Sequence, residues 1–569
     1  MNRLKRLTQE LKRRRVYRVA VVYVIVGFGV IEGAQLIFDA LELSRAAWQL
    51  VVILTILGFP IAIVLAWAYD ITPEGVRRTE QATAEPAAAA EPAAAPASAT
   101  PAVARAVERK SIAVLPFANM SDDPGYEYFS DGITEEIIDA LTRLKDLQVA
   151  ARTSSFAFKG RPVDIGEVGA KLNVATVLEG SVRKVGDRLR ITAQLVNVAD
   201  GYHLWSERYD RELEDLFAIQ DEIASAIADR LQVELLGAEK EGLVKPQTEN
   251  LEAYSLYLKG RSCHRKFTLP DCQQAIAAFQ QAISLDPDYA RAHEGLARVY
   301  TMVGGCGPLH VLSPREAYPL AKAALTKALE LDDQLPEAHN TLGVLRSGFE
   351  WDAAGAERAF RQALELNPND PDSHLNYAWH LWFFTHRFDQ AIGCLRTASA
   401  LDPLVPLYQS CIGLVQLCAR RYGEAVEQFQ RVLDNHPDFY HALMHLGDSY
   451  VALEMYDEAE AAYQKTEAII GREPWLCVGL CDLYSAWDKP EEAKRYQEEL
   501  LALSERRYVP PALIGYTYGA LGDHDEAFAW LEKAFEERDP EVRMIHWPVL
   551  DPLRSDARFG ALKSKMGLE

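Results

Sequence analysis

Small apolar residues recur at a nearly constant interval through the second half of the chain. Eight alanines are spaced 46, 35, 35, 34, 34, 34 and 34 residues apart: Ala275, Ala321, Ala356, Ala391, Ala425, Ala459, Ala493 and Ala527. A large apolar residue follows four positions later in seven of these repeats, and a small or apolar residue usually follows three positions after that. Residues at this spacing share one face of a helix, where the small residue lets a second helix approach closely. The pattern predicts pairs of packed helices.

A 34-residue period with the pattern A-x3-F-x2-A is typical of tetratricopeptide (TPR) repeats, each a pair of antiparallel helices. We therefore expect an α-helical TPR solenoid of about eight repeats over residues 250–540 and a C-terminal cap over residues 541–569. Gly and Pro between Tyr300 and Ala321 predict a loop inserted in the second repeat. Thr466, Gln497 and Leu500 weaken the pattern in repeats six and seven, so we expect that part to open first.

Alternating strand and helix patterns precede the array. Residues 112–117 form an apolar strand pattern, and residues 133–144 repeat apolar residues at helical spacing. Two strand patterns, 174–185 and 188–198, meet at Gly186-Asp187, which is a hairpin signal. An amphipathic helix is expected from about residue 213 to residue 235. These elements predict a small α/β domain over residues 108–236.

Two long apolar runs, residues 19–38 and 46–69, lie near the start of the chain. Each could cross a hydrocarbon core about 30 Å thick, so a two-helix transmembrane hairpin is predicted over residues 19–70. The basic residues of 1–18 predict a cytoplasmic start and large cytoplasmic domains. Two alternatives stay open: a cleaved signal peptide, or a first run that fails to cross because it contains Glu32, which would make those domains periplasmic. Residues 71–107 form an Ala/Pro-rich linker.

Charge and cysteine content narrow the function. The net charge is -22, although residues 1–18 hold eight basic residues against one acid. The acidic remainder of the chain argues against nucleic-acid binding. The eight cysteines all lie in the repeat region with no CxxC pattern, so no disulfide framework is indicated.

Several stretches resemble a known family. SIAVLPFANMSDDPGYEYFSDGITEEIIDAL, ARTSSFAFKG, VLEGSVRKVGDRLRITAQLVNVADGYHLWSERYD and LEDLFAIQDEIA are similar to the FlgO-like, TolB-amino-terminal-like domain of bacterial membrane-anchored TPR proteins. The closing LRSDARF, residues 553–559, resembles the group's usual LRSDPRF. The resemblance implies a multi-pass protein of the bacterial inner membrane. Relatives carry a nucleotide-cyclase or winged-helix domain before the anchor; we expect neither here.

Candidate catalytic chemistry is sparse. No Walker motif, GxGxxG or GxSxG is present. His441 and His445 are four apart on a predicted helix, but no third metal ligand is evident. A cluster of acids is explained more simply by helix capping and the helix dipole than by catalysis: Asp122, Asp123, Asp131, Glu135 and Glu136. We therefore expect no catalytic residue, no cofactor and no metal.

The first helix of each TPR repeat lines the concave face of the array. Resemblance to that architecture gives eight candidate partner-binding residues: Trp379, Trp382, Leu375, Leu414, Leu417, His441, Met444 and Asp448. Most are apolar or aromatic, so the groove should bind an apolar or helical segment better than an acidic tail. The alternative is that these side chains pack against a neighbouring helix.

The sequence thus predicts the fold class α plus α/β, with a two-helix transmembrane hairpin, a small α/β domain and a TPR solenoid. The predicted function is a membrane-anchored scaffold that binds an unidentified protein or peptide partner, and no nucleic acid. A second hypothesis is a signalling or transcription-linked regulator whose α/β domain senses a ligand. An enzyme is the third.

Overall fold

The computed structural model describes residues 69–72, 75–78, 110–121, 123–161, 163–233, 247–266, 268–304 and 312–568. The chain divides into two compact units, Met1–Ala102 and Val103–Glu569. In the first unit, strand β1 (Tyr69–Thr72) pairs antiparallel with strand β2 (Gly75–Arg78). The elements that follow belong to the second unit.

The prediction of a transmembrane hairpin, and of an inner-membrane location with it, is corrected by this structure. Within the ranges given above, no helix combines the length and the apolar character that a bilayer crossing requires. Tyr69, the predicted end of the second span, instead begins strand β1. Most of residues 19–70 lie outside the described residues. The prediction rested on the apolar length of the two runs, on the basic residues before them and on the family resemblance, none of which fixes the backbone conformation of a segment.

The α/β domain is built on a six-stranded mixed sheet in the order β5-β3-β6-β7-β8, with β4 beside β6. Strand β3 pairs parallel with β5 and with β6, and β4 also pairs parallel with β6. Strands β6 and β7, and strands β7 and β8, pair antiparallel. The predicted hairpin at Gly186-Asp187 is present, and Gly186 has a φ of 59°, which suits glycine at a tight turn. The strands are β3 (Ser111–Val114), β4 (Ala118–Asn119), β5 (Gln148–Val149), β6 (Thr176–Val185), β7 (Arg188–Asn197) and β8 (His203–Glu212).

Helices cover both faces of this sheet. Helix α1 (Glu127–Thr142) and helix α4 (Leu216–Arg230) share one apolar cluster with strands β6 and β7. Helix α3 (Ile165–Leu172) packs on the opposite face, and the short helix α2 (Arg152–Phe156) precedes it in the chain. The predicted amphipathic face of α4 is confirmed, since the four Leu and Ile residues of this helix are fully buried: Leu216, Ile219, Ile223 and Ile227.

Residues 251–537 form eight consecutive pairs of helices, as the alanine spacing predicts. Their bounds are α5 (Leu251–His264) and α6 (Leu269–Leu285), α7 (Ala290–Val303) and α8 (Pro314–Leu331), α9 (Pro336–Leu345) and α10 (Ala353–Leu366), α11 (Pro371–Thr385) and α12 (Phe388–Leu401), α13 (Pro406–Cys418) and α14 (Tyr422–Asn435), α15 (Tyr440–Ala452) and α16 (Tyr456–Ile470), α17 (Pro474–Ala486) and α18 (Pro490–Ser504), α19 (Pro511–Ala520) and α20 (His524–Glu537). The predicted insertion falls between α7 and α8, where residues 305–311 lie outside the described residues.

The alternation of small and large apolar residues in the repeats reflects how the two helices of each pair pack together. All eight periodic alanines have 0% exposure. The large residue of the second helix lies against a glycine of the first: a Cβ added to Gly343 would lie 2.6 Å from the Phe360 ring, and one added to Gly413 would lie 2.8 Å from the Phe429 ring. Only the missing side chain leaves room for the ring at that distance.

Candidate partner-binding site

The candidate partner-binding residues lie on three successive first helices, α11, α13 and α15. Five of them are at most 8% exposed: Leu375, Trp382, Leu414, Leu417 and Met444. The other three, Trp379, His441 and Asp448, are partly exposed. These eight residues form a face of the array, here named the inner face, which is therefore largely closed to solvent.

The C-terminal region of the chain covers this inner face. Residues 540–553, here named the inner segment, include two short 3-10 helices, Pro540–Arg543 and Pro548–Leu553. The Trp547 ring lies 5.1 Å from the His445 ring of α15 and 5.1 Å from the Trp475 ring of α17. The first helices thus hold a polypeptide segment on their inner face through aromatic contacts, and that segment belongs to the same chain.

Arginines hold the inner segment at other points. The guanidinium of Arg543 lies 5.2 Å from the centre of the Phe383 ring, near the end of α11. Arg420 Nη1, just after α13, donates a hydrogen bond of 2.8 Å to the carbonyl of His546. The same arginine forms an ion pair with Asp551. Polar and aromatic contacts from successive repeats therefore fix the course of the segment.

The last helix pair also returns to the second and third pairs. The Phe535 ring of α20 lies 4.6 Å from the Trp351 ring, which precedes α10. The guanidinium of Arg538 lies 4.3 Å from the centre of the Trp351 ring and 5.8 Å from that of Phe535. Arg315 Nε, at the start of α8, donates a hydrogen bond of 3.1 Å to the carbonyl of Glu536. The array consequently closes on itself around the inner segment.

A polar network lies beneath Trp547. His445 Nδ1 is 2.8 Å from Asp448 Oδ2, and the Tyr463 hydroxyl donates a hydrogen bond of 2.6 Å to Asp448 Oδ1. His441 Nδ1 is 2.8 Å from Ser410 Oγ, and burial lowers the pKa of His441 well below its usual value. His441 is therefore neutral at neutral pH. In the described ranges, no group of three or more His, Cys, Asp or Glu side chains could hold a metal ion.

Asp482 of α17 faces the same small pocket. Burial, and then the charges of Asp448 and Asp551, raise the pKa of Asp482 to about 7. Its charge therefore changes near neutral pH, next to the residues that hold Trp547. The pocket is lined by Met444, His445, Asp448, Trp475, Val478, Gly479, Asp482, Trp547 and Val549.

Three of these pocket residues could have been found from the sequence. Trp475, Val478 and Asp482 stand 34 residues after His441, Met444 and Asp448, so the repeat count extended by one repeat reaches them. Trp547 lies beyond the last repeat, where the 34-residue period gives no information.

Two acids of the α/β domain contact the array rather than only capping their own helix. Glu136 accepts hydrogen bonds of 2.6 Å from Arg261 Nη1 of α5 and from Arg291 Nη1 of α7. Arg261 Nη2 also lies 3.0 Å from Glu135 Oε2. Burial opposes ionisation of Glu135, but Arg265 and its neighbouring arginines outweigh it and lower the pKa of Glu135 to about 2. These acids join the α/β domain to the first repeats.

The remaining acids of the predicted cluster have local partners. Lys159 Nζ donates to Asp131 Oδ1 at 2.6 Å. Asp123 Oδ1 accepts a hydrogen bond of 2.7 Å from the Gly125 backbone, while Asp122 lies outside the described residues. The described acids are thus engaged in structural contacts.

Comparisons with known families support the repeat assignment. Models described as TPR repeat or tetratricopeptide repeat match residues 271–304, 412–472 and 512–539. A model described as HilA/YgeH-like transcriptional regulator, second domain, matches residues 108–226. The chain therefore contains TPR repeats, and these support a role as a protein-interaction scaffold. These matches do not show the FlgO-like domain or the membrane anchor of the family resemblance.

Two curated relatives differ in how much of them is matched. Putative adenylate cyclase 3 of Rhizobium meliloti is 39% identical over 239 residues, which are 42% of this chain and 40% of that protein. Transcriptional regulator HilA of Salmonella typhimurium is 23% identical over 432 residues, 74% of this chain and 73% of that protein. The chain thus spans less than half of the first relative. The TPR repeats of the present chain form a type of fold that is typical of non-enzymatic scaffolds.

Solved structures of TPR type are also similar in part. Pseudomonas aeruginosa PilF is 23% identical, with a TM-score of 0.30, and is matched over 38% of this chain and 92% of its own. PilW, a type IV pilus biogenesis factor, is 19% identical, with a TM-score of 0.32, over 38% of this chain and 95% of its own. Scores this low support no argument about function.

Proposed function

We propose that this chain is a protein-interaction scaffold whose array binds a segment of a partner on its inner face, in competition with its own inner segment. The position of Trp547, in ring contact with both His445 and Trp475, carries the proposal. Trp475 repeats the position of His441, a candidate partner-binding residue, one helix pair further along the array, and it already contacts a peptide-like segment. A partner segment of similar chemistry would make the same contacts.

The inner segment indicates the chemistry of such a partner. Residues 544–550 read MIHWPVL, an apolar run with one aromatic anchor and a proline directly after it. The buried side chains Ile545, Trp547 and Val549 contribute its apolar contacts. An aromatic anchor in a desolvated pocket usually dominates the binding energy of such segments. The preferred partner is therefore an apolar segment with a central tryptophan or another large aromatic residue.

Competition follows from covalent attachment. The inner segment is always present at a high effective concentration, so an external segment binds only when the inner one is released or outcompeted. Weakening the inner segment should therefore increase affinity for an external copy of it. A scaffold without this competition would bind the external copy equally well before and after such a change.

The test uses a labelled peptide of residues 544–553 and the full chain. Trp547→Ala removes the anchor of the inner segment, whereas Trp530→Ala removes a tryptophan of α20 outside the pocket and serves as the matched control. We expect fluorescence anisotropy to show at least about tenfold tighter peptide binding to the Trp547→Ala chain than to the wild type or the control. A peptide lacking its tryptophan should not bind. Absent or equal binding to all three chains would refute the proposal.

A second proposal is a transcription-linked regulator in which the α/β domain and the array act together. It is supported by the HilA/YgeH-like match over residues 108–226 and by the buried contact of Glu136 with Arg261 and Arg291. In such a regulator, peptide binding to the Trp547→Ala chain should change amide hydrogen exchange in α1. If the changes in hydrogen exchange were confined to α11–α17, the regulator proposal would be rejected and only the scaffold proposal would stand.

A further inference from the structure

Among the described residues, the six-stranded sheet has one long edge without a neighbouring strand. Strand β8 is ten residues long, and all but three of its residues are exposed. The opposite edge strand, β5, has two residues, and directly after it the Ala151 N–H donates a hydrogen bond to the carbonyl of Leu401 in the array. A long unpaired edge is a template for pairing with another strand, unless its side chains prevent it.

The backbone groups that point outward from β8 can be identified. Leu213 N–H, directly after the strand, donates a hydrogen bond of 2.7 Å to the carbonyl of Asp187. Antiparallel ladders alternate between hydrogen-bonded and non-hydrogen-bonded positions, so odd-numbered residues of β8 bond to β7. The even-numbered residues then direct their N–H and C=O groups to the open edge: Ser206, Arg208, Asp210 and Glu212.

The charges on this edge are complementary to their own reversed sequence. Residues 207–211 read Glu-Arg-Tyr-Asp-Arg, with Tyr209 at the centre. An antiparallel copy centred on Tyr209 places Arg208 opposite Asp210 of the second copy, and Glu207 opposite Arg211 of the second copy. Residues directly opposite each other in an antiparallel pair lie on the same face, as this arrangement requires. Charged side chains often protect an edge strand from pairing, but opposite charges directly across an antiparallel pair stabilise it.

The contacts within one copy leave room for this pairing. In the described part of the chain Arg208 forms no ion pair. Asp210 contacts Arg190 through Oδ2, at 2.5 and 3.1 Å, and Arg188 of β7 lies 3.7 Å from Asp210 Oδ1 and 3.9 Å from Glu212 Oε1. Arg211 contacts Glu222 on α4 at 2.9 Å. These contacts involve side chains on the two faces of the sheet, so they do not occupy the outward backbone groups of β8.

We propose that β8 pairs antiparallel with β8 of a second copy of this chain, joining the two sheets. Four outward residues on each strand would supply about eight backbone hydrogen bonds, and the charge pairs around Tyr209 would fix the register. An interface of this size is small, so a dimer that dissociates on dilution is expected. The pairing is independent of the proposed binding of a partner on the inner face.

Sedimentation velocity of the full chain over a range of concentrations tests the pairing. Arg208→Asp and Asp210→Arg each place two like-charge pairs in a homodimer, so each should weaken dimerisation at least about tenfold. An equimolar mixture of the two variants should recover the dimer, because the new acid of one variant faces the new base of the other. Lys145→Asp, at an exposed position in the loop before β5 on the opposite edge of the sheet, is the control and should leave the dimer unchanged.

Three results would overturn the proposal. The wild type could be monomeric throughout the concentration range. The dimer could be unaffected by both Arg208→Asp and Asp210→Arg, which would assign it to another surface. The mixture of the two variants could fail to recover dimers while circular dichroism shows both to be folded.

Discussion

Arg291 donates a hydrogen bond of 2.6 Å to Glu136, and the two side chains are only 7% and 5% exposed. The arginine belongs to the second helix pair of the array, while the acid belongs to α1 of the α/β domain. Burying a charged side chain costs free energy unless an opposite charge pairs with it. This contact therefore forms only when the α/β domain and the first repeats are packed together. It makes the α/β domain a structural part of the first repeats.

Glu136→Gln should destabilise this junction strongly. The substitution keeps the shape of the side chain but leaves Arg291, and in part Arg261, as buried cations without their anion. We expect the free energy of unfolding of the junction to fall by about 3 kcal/mol. Hydrogen exchange of the amides in α1 and α7, recorded at increasing denaturant concentration, measures this loss. Glu127→Gln, on the more exposed start of the same helix, is the control and should cost less than about 1 kcal/mol.

Asp482 should make stability depend on pH. Its folded-state pKa is raised from 3.8 to about 7, so the folded protein binds a proton more tightly than the unfolded chain does. This group therefore costs no stability below about pH 4, and its cost grows as the pH rises to about 7. Asp482→Asn should remove that loss, so its thermal midpoint should exceed that of the wild type increasingly from pH 5 to pH 8.

A control separates this effect from general charge effects. Asp438→Asn removes an exposed acid from the loop before α15 and changes the net charge by the same amount. Its midpoint should follow the wild type across the whole pH range. A parallel shift of both variants, or a constant difference for Asp482→Asn, would show that Asp482 does not titrate in this range.

Sequence reasoning succeeded where contacts are local in the repeat. The positions of Ala356, Phe360 and Gly343 interact within one helix pair, so a pattern of 34 residues contains that information. The hairpin at Gly186-Asp187 was likewise predicted from its turn residues. The candidate groove residues were placed on the first helices, but their solvent exposure could not be predicted in the same way.

Contacts between distant residues account for what was missed. Trp351 meets Phe535 only after the small rotations of successive helix pairs add up and return the chain to its third pair. Glu136 and Arg291 are 155 residues apart, so the acids looked like simple capping partners. The transmembrane prediction used apolar length, the basic residues before the first run and a family resemblance, which contain no information on pairing such as that of Tyr69 with Arg78.

Gln497→Leu should stabilise the seventh helix pair. Gln497 occupies the position that holds a phenylalanine, leucine or tyrosine in the other seven pairs. It is 6% exposed, and its Nε2 has no hydrogen-bond partner among the described residues. Replacing an unsatisfied buried amide with an apolar side chain should raise the free energy of unfolding by about 1 kcal/mol. Gln464→Leu, at an exposed position of α16, should change it little.

Hydrogen exchange connects this substitution with the expected weakness of repeats six and seven. If these repeats open first, amides of α15–α18 should exchange faster than those of α9–α12 in the wild type. Gln497→Leu should then slow exchange mainly in α17 and α18. Uniform protection across residues 270–535 would contradict the expectation.

Gly413→Ala tests whether the glycine of the first helix is required by the ring of the second. A Cβ at Gly413 would lie 2.8 Å from the Phe429 ring, too close for two carbon atoms, and both residues are buried. We expect a loss of about 1 to 3 kcal/mol in the free energy of unfolding, because the ring must move in a close-packed core. Gly423→Ala, on α14 with nothing within 4 Å of its Cβ, should instead gain up to about 1 kcal/mol from helix propensity. Adding Phe429→Leu to Gly413→Ala should recover part of the loss, because the smaller side chain leaves room for the methyl group. If Gly413→Ala were neutral or the second substitution gave no recovery, the packing of small against large residues would not explain the repeat pattern.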